Sequence, residues 1–259
     1  MELTDTHCHL QFDRLVSRTD EVLKNAQAAS VTRFICVGTN VDDSQKAVDI
    51  AATHPNVWAT VGAHPHGAKD FFEQENHTAR LKDLLTKPKV VAVGEIGLDF
   101  YKNYSPKAEQ EKLLRLQIEI GALTGLPFVF HIREAWDEFW PIVDSYQSAS
   151  RRMRGVVHSF SAHPEQLDQT LARGLYVGLN GIMTFTGDKL QLEAAKLIPK
   201  NRLILETDAP FLAPTPHRGQ PCEPKHIRDI AEFLAGLRGE QIEELASFST
   251  KNARELFGI

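Results

Sequence analysis

Cysteine is scarce in this sequence, with Cys8, Cys36 and Cys222 as the three cysteines among 259 residues and no C-x-x-C pair. This odd, widely spaced set argues against a disulfide framework and a structural zinc knuckle, and it favours a reducing cytoplasm. Apolar runs of membrane-spanning length are also missing, and acidic Glu2 and Asp5 stand where a secretory signal carries basic residues. We therefore expect a cytoplasmic protein without a membrane span or an export signal.

Positive charge is not in excess, because 29 lysines and arginines are opposed by 34 acidic residues, for a formal net charge of -5. This balance argues against a broad basic surface for nucleic acid, so a nucleic-acid substrate would have to be bound locally. The hydrophobic fraction of 42% is enough for a large core. No linker-like, low-complexity or repeated segment divides the chain, which predicts a single domain over residues 1–259.

Short β-branched runs alternate with amphipathic stretches along the chain. The predicted strands lie at residues 2–5, 32–38, 57–62, 90–95, 128–131, 155–158, 175–179 and 203–206, and the predicted helices at 19–29, 42–54, 75–87, 106–124, 134–148, 163–173, 188–197, 224–237 and 239–256. Strict alternation, with strands apolar on both faces, predicts a parallel α/β sheet, and eight repeats predict closure into a (β/α)8 TIM barrel. The alternative is an open doubly wound sheet, but no glycine-rich phosphate-binding loop follows the first strand.

Several helix ends have local signals. Ser105 is predicted to cap a helix that begins at Pro106, and His163 with Pro164 is predicted to open a later one. Gly174 predicts the end of that later helix, just before the seventh strand.

Polar side chains collect where the predicted strands end. The histidines, carboxylates and arginine at these ends are Asp5, His7, His9, His64, His66, Glu95, Asp99, His131, Arg133, His158, Glu206 and Asp208. In TIM barrels the active site lies at the C-terminal ends of the strands, so these side chains would face one mouth. A random scatter would also place them at strand starts. The sequence therefore predicts an active site at this mouth.

Some of these residues have the chemistry of metal ligands. His7 and His9 alternate along a strand and can converge on one ion. Glu95 follows four apolar residues and a glycine, and burying a carboxylate is costly unless it pairs with a cation such as Arg133 or a metal. Asp208 lies two residues after Glu206, and two buried acids without a cation would repel each other.

We predict a binuclear site, because there are more ligands than one tetrahedral ion needs and because a carboxylate can bridge two ions. The predicted ligands are His7, His9, Glu95, His131, His158 and Asp208. Glu95 is the predicted bridge, with His7, His9 and Asp208 on one ion and His131 and His158 on the other. Zinc suits the histidines, and manganese and magnesium are also compatible with this set.

Six motifs, in order and at strand ends, resemble those of the TatD-type metal-dependent deoxyribonuclease family within the amidohydrolase-like barrels. They are Asp5-Thr6-His7-Cys8-His9, Gly62-Ala63-His64-Pro65, Gly94-Glu95-Ile96-Gly97-Leu98-Asp99, His131-Ile132-Arg133-Glu134-Ala135, Val157-His158-Ser159-Phe160 and Glu206-Thr207-Asp208-Ala209-Pro210. The resemblance spans nearly the whole chain and implies divalent-metal-dependent hydrolysis of DNA, often as a 3′-to-5′ exonuclease. It also implies that His64 and Glu206 lie near the metals, where they hold a third ion or orient substrate.

The predicted mechanism has two ions share a water, lower its pKa and present hydroxide in line with a phosphodiester. Asp208 and Glu95 are the predicted catalytic residues, with Asp208 orienting the water or taking its proton. Arg133 is predicted to contact the phosphate. In the loop after the fourth strand, Lys102 could contact the backbone of the nucleic acid and Tyr104 could stack on a base, or both could be ordinary loop residues.

One segment departs from the family pattern. The family commonly has Arg-Gly-Lys-Arg-Asn-Glu-Pro near its end, where this chain has Arg218-Gly219-Gln220-Pro221-Cys222-Glu223-Pro224. The segment follows the eighth strand and should border the mouth, so its lost positive charge bears on substrate preference and not on the metal ligands.

Two other functions are compatible with a metal site. The first is amide or ester hydrolysis of the amidohydrolase type, including the editing of an aminoacyl ester on tRNA. Many such barrels bridge their metals with a carboxylated lysine, and no strand end offers a lysine here, which favours the phosphodiesterase. The second is a metal-storing scaffold, which has no need for an open binuclear site. No stable protein partner is indicated.

Overall fold

The structure is a computed structural model that describes residues 1–147 and 153–259. Eight parallel strands form one sheet in chain order. The strands are β1 (Leu3–Cys8), β2 (Val31–Val37), β3 (Val57–Val61), β4 (Val90–Asp99), β5 (Phe128–Arg133), β6 (Gly155–Val157), β7 (Tyr176–Leu179) and β8 (Leu203–Leu205). The helices are α1 (Thr19–Ala28), α2 (Val41–Thr53), α3 (Ala68–Glu73), α4 (His77–Leu84), α5 (Lys107–Gly121), α6 (Trp136–Ser145), α7 (Pro164–Ala172), α8 (Lys189–Leu197), α9 (Ile227–Arg238) and α10 (Ile242–Phe257).

The last strand returns to the first at the C-terminal end of the sheet. Asp208 N donates a hydrogen bond to His7 O at 2.8 Å, and His9 N donates to Ala209 O at 2.7 Å. Within the barrel wall, Thr6 Oγ1 of β1 donates to Leu205 O of β8 at 2.9 Å. The predicted (β/α)8 TIM barrel is therefore confirmed, and the bonds that close it involve the backbone of predicted ligands.

The strands are apolar on both faces because one face fills the barrel and the other supports the helices. Ile35 of β2 belongs to a buried cluster with Val129 of β5 and Ile204 of β8, which lie around the sheet from it. Phe34 precedes Ile35 and points to the opposite face of β2. It belongs to a second buried cluster, which lies between the sheet and the helices. Phe257 of α10 joins the inner cluster, so α10 covers the end of the barrel opposite the mouth.

Two strands continue beyond their predicted ends and carry β-bulges. Three residue steps from Asp5 to Cys8 on β1 face two steps on β2, and three steps from Val93 to Ile96 on β4 face two steps on β5. Bulges bend a strand and re-aim side chains, and they are common beside active sites. The bulges include His7 and Glu95. The directions of these two side chains are therefore not given by the regular alternation of side chains along a strand.

One predicted helix cap is wrong, and one short helix was not predicted. The predicted helix at 75–87 is present as α4, and the short helix α3 precedes it. Ser105 does not cap α5, whose N-cap residue is Pro106. Its hydroxyl donates to His66 O at 2.7 Å and accepts from Lys69 N at 3.1 Å, which ties together the loops after β3 and β4. His163 does open α7, as predicted.

Other boundaries agree more closely with expectation. The predicted helix at 134–148 is shorter, as α6, and residue 148 lies outside the described residues. Gly174 adopts a left-handed φ of 73° just after α7, where a glycine is favoured. Among the helices in the described part of the chain, none is long and apolar enough to cross a membrane.

Candidate metal centre

The first half of the centre joins the end of β1 to the segment after β8. His7 Nε2 lies 3.4 Å from Glu95 Oε2 and 3.6 Å from Asp208 Oδ1. His9 Nε2 lies 3.4 Å from the same Asp208 oxygen. Ligand atoms of His7, His9 and Glu95 all lie within 4.8 Å of one another. The structure thus brings His7, His9, Asp208 and Glu95 to one point at the mouth.

The second half is centred on the other carboxylate oxygen of Glu95. Its Oε1 lies 2.7 Å from His158 Nε2, 2.9 Å from His131 Nδ1 and 3.4 Å from His64 Nε2. His131 Nδ1 and His158 Nε2 are 3.1 Å apart. One carboxylate thus directs one oxygen towards His7 and the other towards three histidines, which is the geometry that a bridging ligand requires.

The unpaired nitrogens and the protonation of the centre fit divalent cations. His7 is fully buried, yet neither of its ring nitrogens has a hydrogen-bond partner, and His158 Nδ1 also has none. Burial lowers the pKa of His158, but Glu95 and Glu206 outweigh burial and raise the pKa well above its ordinary value. Divalent cations at this centre would bind the nitrogen lone pairs and neutralise the charge of the carboxylates. Their binding would release the proton that His158 otherwise holds.

Glu95 is ionised in this surrounding. Its side chain is buried, and burial raises the pKa of the carboxyl. The charge of His158 and the hydrogen bonds from His131 and His158 outweigh burial and hold the pKa well below its ordinary value. An ionised carboxylate is thus buried between the two groups of histidines.

Hydrogen bonds behind the centre orient the first group of ligands. His9 Nδ1 lies 2.8 Å from Val37 O, and donation to this carbonyl leaves Nε2 free to face Asp208. Asp5 is fully buried and accepts from Thr207 N at 2.9 Å and from Thr207 Oγ1 at 2.6 Å. Asp5 therefore fixes the residue that precedes Asp208, although its sequence position suggested a place among the metal residues.

His131 has a carboxylate partner in Asp99, which ends the same strand as Glu95. Asp99 Oδ2 lies 3.2 Å from His131 Nε2 and 2.9 Å from His66 Nε2. Donation to Asp99 leaves His131 Nδ1 for the centre, as in carboxylate–histidine–metal arrangements. The sequence signal for Asp99 is its place at the end of the Gly94-Glu95-Ile96-Gly97-Leu98-Asp99 motif.

His64 and Glu206 lie beside the centre in different ways. His64 Nδ1 accepts a hydrogen bond from His66 N at 3.1 Å, so the proton of the neutral ring is on Nε2, which faces Glu95. Burial lowers the pKa of His64 to about 4, which keeps the ring neutral. Glu206 is buried behind His158 and accepts from Ser159 N at 2.5 Å. His64 and Glu206 each belong to a group of potential ligand atoms within 4.8 Å of one another, His64 with Glu95 and His131, and Glu206 with His7 and His158.

Proteins of known sequence are similar to this chain over nearly its whole length. A sequence model described as TatD related DNase matches residues 4–258. This chain belongs to the TatD DNase family. YabD of Bacillus subtilis, named an uncharacterized metal-dependent hydrolase, is 34% identical over 257 residues that cover 99% of each chain. TatD of Erwinia amylovora, named a 3′-5′ ssDNA/RNA exonuclease, is 36% identical and covers 98% of this chain and 99% of its own.

A solved structure agrees with this membership. The crystal structure of YjjV, a TatD homologue from Escherichia coli, superimposes with a TM-score of 0.91 at 28% identity, covering 99% of this chain and 98% of that chain. The TatD family is hydrolytic and the relatives are named metal-dependent hydrolases. The chain is therefore a TatD-family metal-dependent hydrolase.

The segment that departs from the TatD pattern does border the mouth. Gln220 and Pro221 are exposed, whereas Cys222 is buried and its N donates to Pro210 O at 3.0 Å. Arg218 keeps one cation in the segment, with its guanidinium 3.7 Å from the ring centre of Phe185. The Lys and Arg of the TatD pattern are thus missing at two exposed positions, 220 and 221.

A further group of potential ligands flanks this segment, at His217, His226 and Asp229. His226 Nδ1 accepts a hydrogen bond from Glu223 N at 3.1 Å, so the neutral ring carries its proton on Nε2 and has no lone pair there. We assign no ion to this group.

Asn at position 99 should weaken metal binding without removing a ligand. In Asp99→Asn, the side-chain oxygen can still accept from Tyr101 N and Lys102 N, which now bond Oδ1, while an NH₂ group faces His131 and His66. We expect metal affinity to fall by about 10–100-fold, as for other lost partners of ligating histidines. Competition with a chromophoric chelator measures the affinity, and an unchanged affinity would show that Asp99 does not orient His131.

Proposed function

We propose that this hydrolase cleaves the phosphodiester bonds of single-stranded DNA from the 3′ end with two divalent ions. The observation that carries the proposal is Glu95, whose two carboxylate oxygens face separate groups of histidines at the barrel mouth. The Erwinia relative named a 3′-5′ ssDNA/RNA exonuclease supports the substrate class and makes RNA a second candidate. Because all three cysteines are free and buried, we also propose a reducing, cytoplasmic setting.

The six predicted ligands would hold the ions in two groups. His7, His9 and Asp208 would hold one ion and His131 and His158 the other, with Glu95 between them. When bound, divalent ions lower the pKa of a water and neutralise phosphoryl oxygens. Zinc, manganese and magnesium all fit this donor set, with the histidines favouring zinc.

Asp208 would orient the attacking water and accept its proton. Burial raises the pKa of its carboxyl, but the hydrogen bond from His9 and the charges of His7 and His9 outweigh burial and lower the pKa. The carboxylate is therefore ionised near neutral pH and able to act as a base. Its side chain is 16% exposed, more than those of His7 and His9, so it faces the open side of the centre.

Two donors at the mouth are available to the phosphate. Arg133 is exposed, and its guanidinium lies 4.0 Å from the ring centre of Tyr101. Among residues 1–147 and 153–259 no carboxylate pairs with Arg133, so the alternative of an ion pair with Glu95 is absent from the structure. Arg133 would then contact a non-bridging phosphate oxygen, and His64 Nε2–H would donate to another.

Stripping and restoring the metal tests the proposed function. Protein treated with a chelator is expected to lose cleavage of a 5′-labelled single-stranded DNA, and separate additions of magnesium, manganese and zinc are expected to show which ion restores it. Products that shorten from the 3′ end would support the exonuclease. Full metal uptake with no cleavage of DNA or RNA would contradict it, and cleavage of a cyclic amide, an ester or an aminoacyl-tRNA instead would establish the amidohydrolase-type alternative.

A further inference from the structure

Exposed aromatic rings gather at the mouth of the barrel. In the described part of the chain, the aromatic residues with large exposed fractions are Tyr101 (52%), Tyr104 (67%), Phe185 (37%) and Phe211 (47%). Tyr101 and Tyr104 follow β4, Phe185 follows β7 and Phe211 follows β8. All four rings thus lie beyond the C-terminal ends of strands. Exposed apolar rings that are confined to one end of the barrel indicate a surface that contacts a ligand.

Two of the four rings are engaged by arginines. The guanidinium of Arg133 lies 4.0 Å from the ring centre of Tyr101, and that of Arg218 lies 3.7 Å from the ring centre of Phe185. These pairs hold two cations at the mouth, on the β5 side and in the segment after β8. Cations held in this way are positioned to follow a phosphate backbone.

The other two rings have contacts mainly at steep angles, which leave ring surface open. Tyr104 meets His66 at 4.8 Å between ring centres and 78° between planes. Phe211 meets Phe12 at 5.9 Å and 75°, and His9 at 6.2 Å and 64°. Within the described residues neither ring has a cation over it. Tyr104 and Phe211 are therefore the rings available for stacking.

The two open rings lie on opposite sides of the metal centre. Phe211 borders His9, on the β1 and β8 side of Glu95. Tyr104 borders His66, which shares Asp99 with His131 on the other side of Glu95. A phosphodiester at the centre would therefore have one open ring towards each of its two flanking nucleotides.

We propose that Tyr104 and Phe211 bind the nucleobases on either side of the scissile phosphodiester by stacking. The proposal rests on the proposed nuclease function and names the residues that would bind the unpaired bases of its substrate. Every base has a π-face, so such stacking tolerates any sequence, whereas a duplex keeps its bases stacked on each other. A small ester or amide would have no use for two rings separated by a metal centre.

Abasic substrates test this proposal. Phe211→Ala and Tyr104→Ala are compared with the unaltered protein on a single-stranded oligonucleotide and on the same strand with abasic residues at its last two 3′ positions. We expect each substitution to raise KM for the normal strand by about fivefold or more, in line with the loss of one stacked base. On the abasic strand the substitutions should have little effect, because the base that they would contact is missing.

Control variants separate stacking from folding. Phe211→Trp and Tyr104→Phe keep a ring and should retain a KM close to that of the unaltered protein. Leu123→Ala removes an apolar side chain that is 85% exposed at the other end of the barrel, and it should leave KM for both strands unchanged. Equal effects on normal and abasic strands, or no effect on either, would overturn the stacking proposal.

Binding distinguishes failure of this proposal from failure of the nuclease function. Fluorescence anisotropy of a labelled oligonucleotide reports affinity whether or not the strand is cleaved. If the unaltered protein cleaves nothing, the nuclease function is wrong, but weaker binding by Phe211→Ala for the normal strand alone would still support stacking. Affinity that is independent of both rings and of the bases would overturn it.

Discussion

Replacing Asp208 with asparagine is expected to lower kcat for oligonucleotide hydrolysis by about 10²–10⁴-fold, the range for loss of a general base. Asparagine keeps the size of the side chain and one oxygen to face His9, but it cannot accept a proton. The backbone at position 208 has a left-handed φ of 61°, which asparagine tolerates nearly as well as aspartate. The substitution therefore tests the carboxylate without straining the turn after β8.

A matched substitution on the surface provides the control for position 208. Asp168 is exposed on α7, away from the mouth, so Asp168→Asn should retain normal kcat and thermal stability. Steady-state rates with saturating metal, together with thermal unfolding, separate a catalytic loss from a folding defect. A folded Asp208→Asn protein with normal kcat would show that another group accepts the proton.

Replacing Glu95 with glutamine is expected to reduce bound metal from the proposed two ions per chain to at most one. It should also lower kcat by about 10³-fold or more, because the ions would lose their shared carboxylate and the general base would lose its geometry. Glu95 contributes one oxygen towards His7 and the other towards His131 and His158, so a neutral amide weakens both groups. The amide would also place an NH₂ group against one set of ligands.

Elemental analysis after dialysis measures the metal content of Glu95→Gln. Glu165→Gln, at an exposed position on α7, is the control and should bind metal normally. Metal that binds only the folded state raises the melting temperature, so zinc should stabilise the control more than Glu95→Gln. Two ions per chain in folded Glu95→Gln would contradict the bridging role.

The barrel and most of the mouth are predictable because the sequence pattern expresses them directly. β-branched runs that alternate with amphipathic stretches predict the strands and helices, and polar residues such as Glu95 and Asp208 mark the strand ends. The bulges at His7 and Glu95 are hidden, since polar residues there look like the end of an apolar run. Ser105 looked like a helix cap because it precedes proline, but its hydroxyl serves a loop contact.

Contacts between distant residues are the part of the site that sequence reasoning cannot supply. Asp5 supports Thr207 across the closure of the barrel, and no local pattern pairs two residues so far apart. Phe211 had no sequence signal either, because its exposure depends on how the segment after β8 turns. Tyr104 could be identified as a stacking candidate, yet its open ring surface is visible only in the structure.

Anomalous diffraction from crystals grown with zinc most directly tests whether the six side chains hold two ions. We predict two peaks about 3.5–4 Å apart, the usual separation in two-metal sites. One peak should contact His7, His9 and Asp208, the other His131 and His158, and Glu95 should contact both. A single peak, or two peaks with Glu95 bound to only one of them, would contradict the binuclear centre.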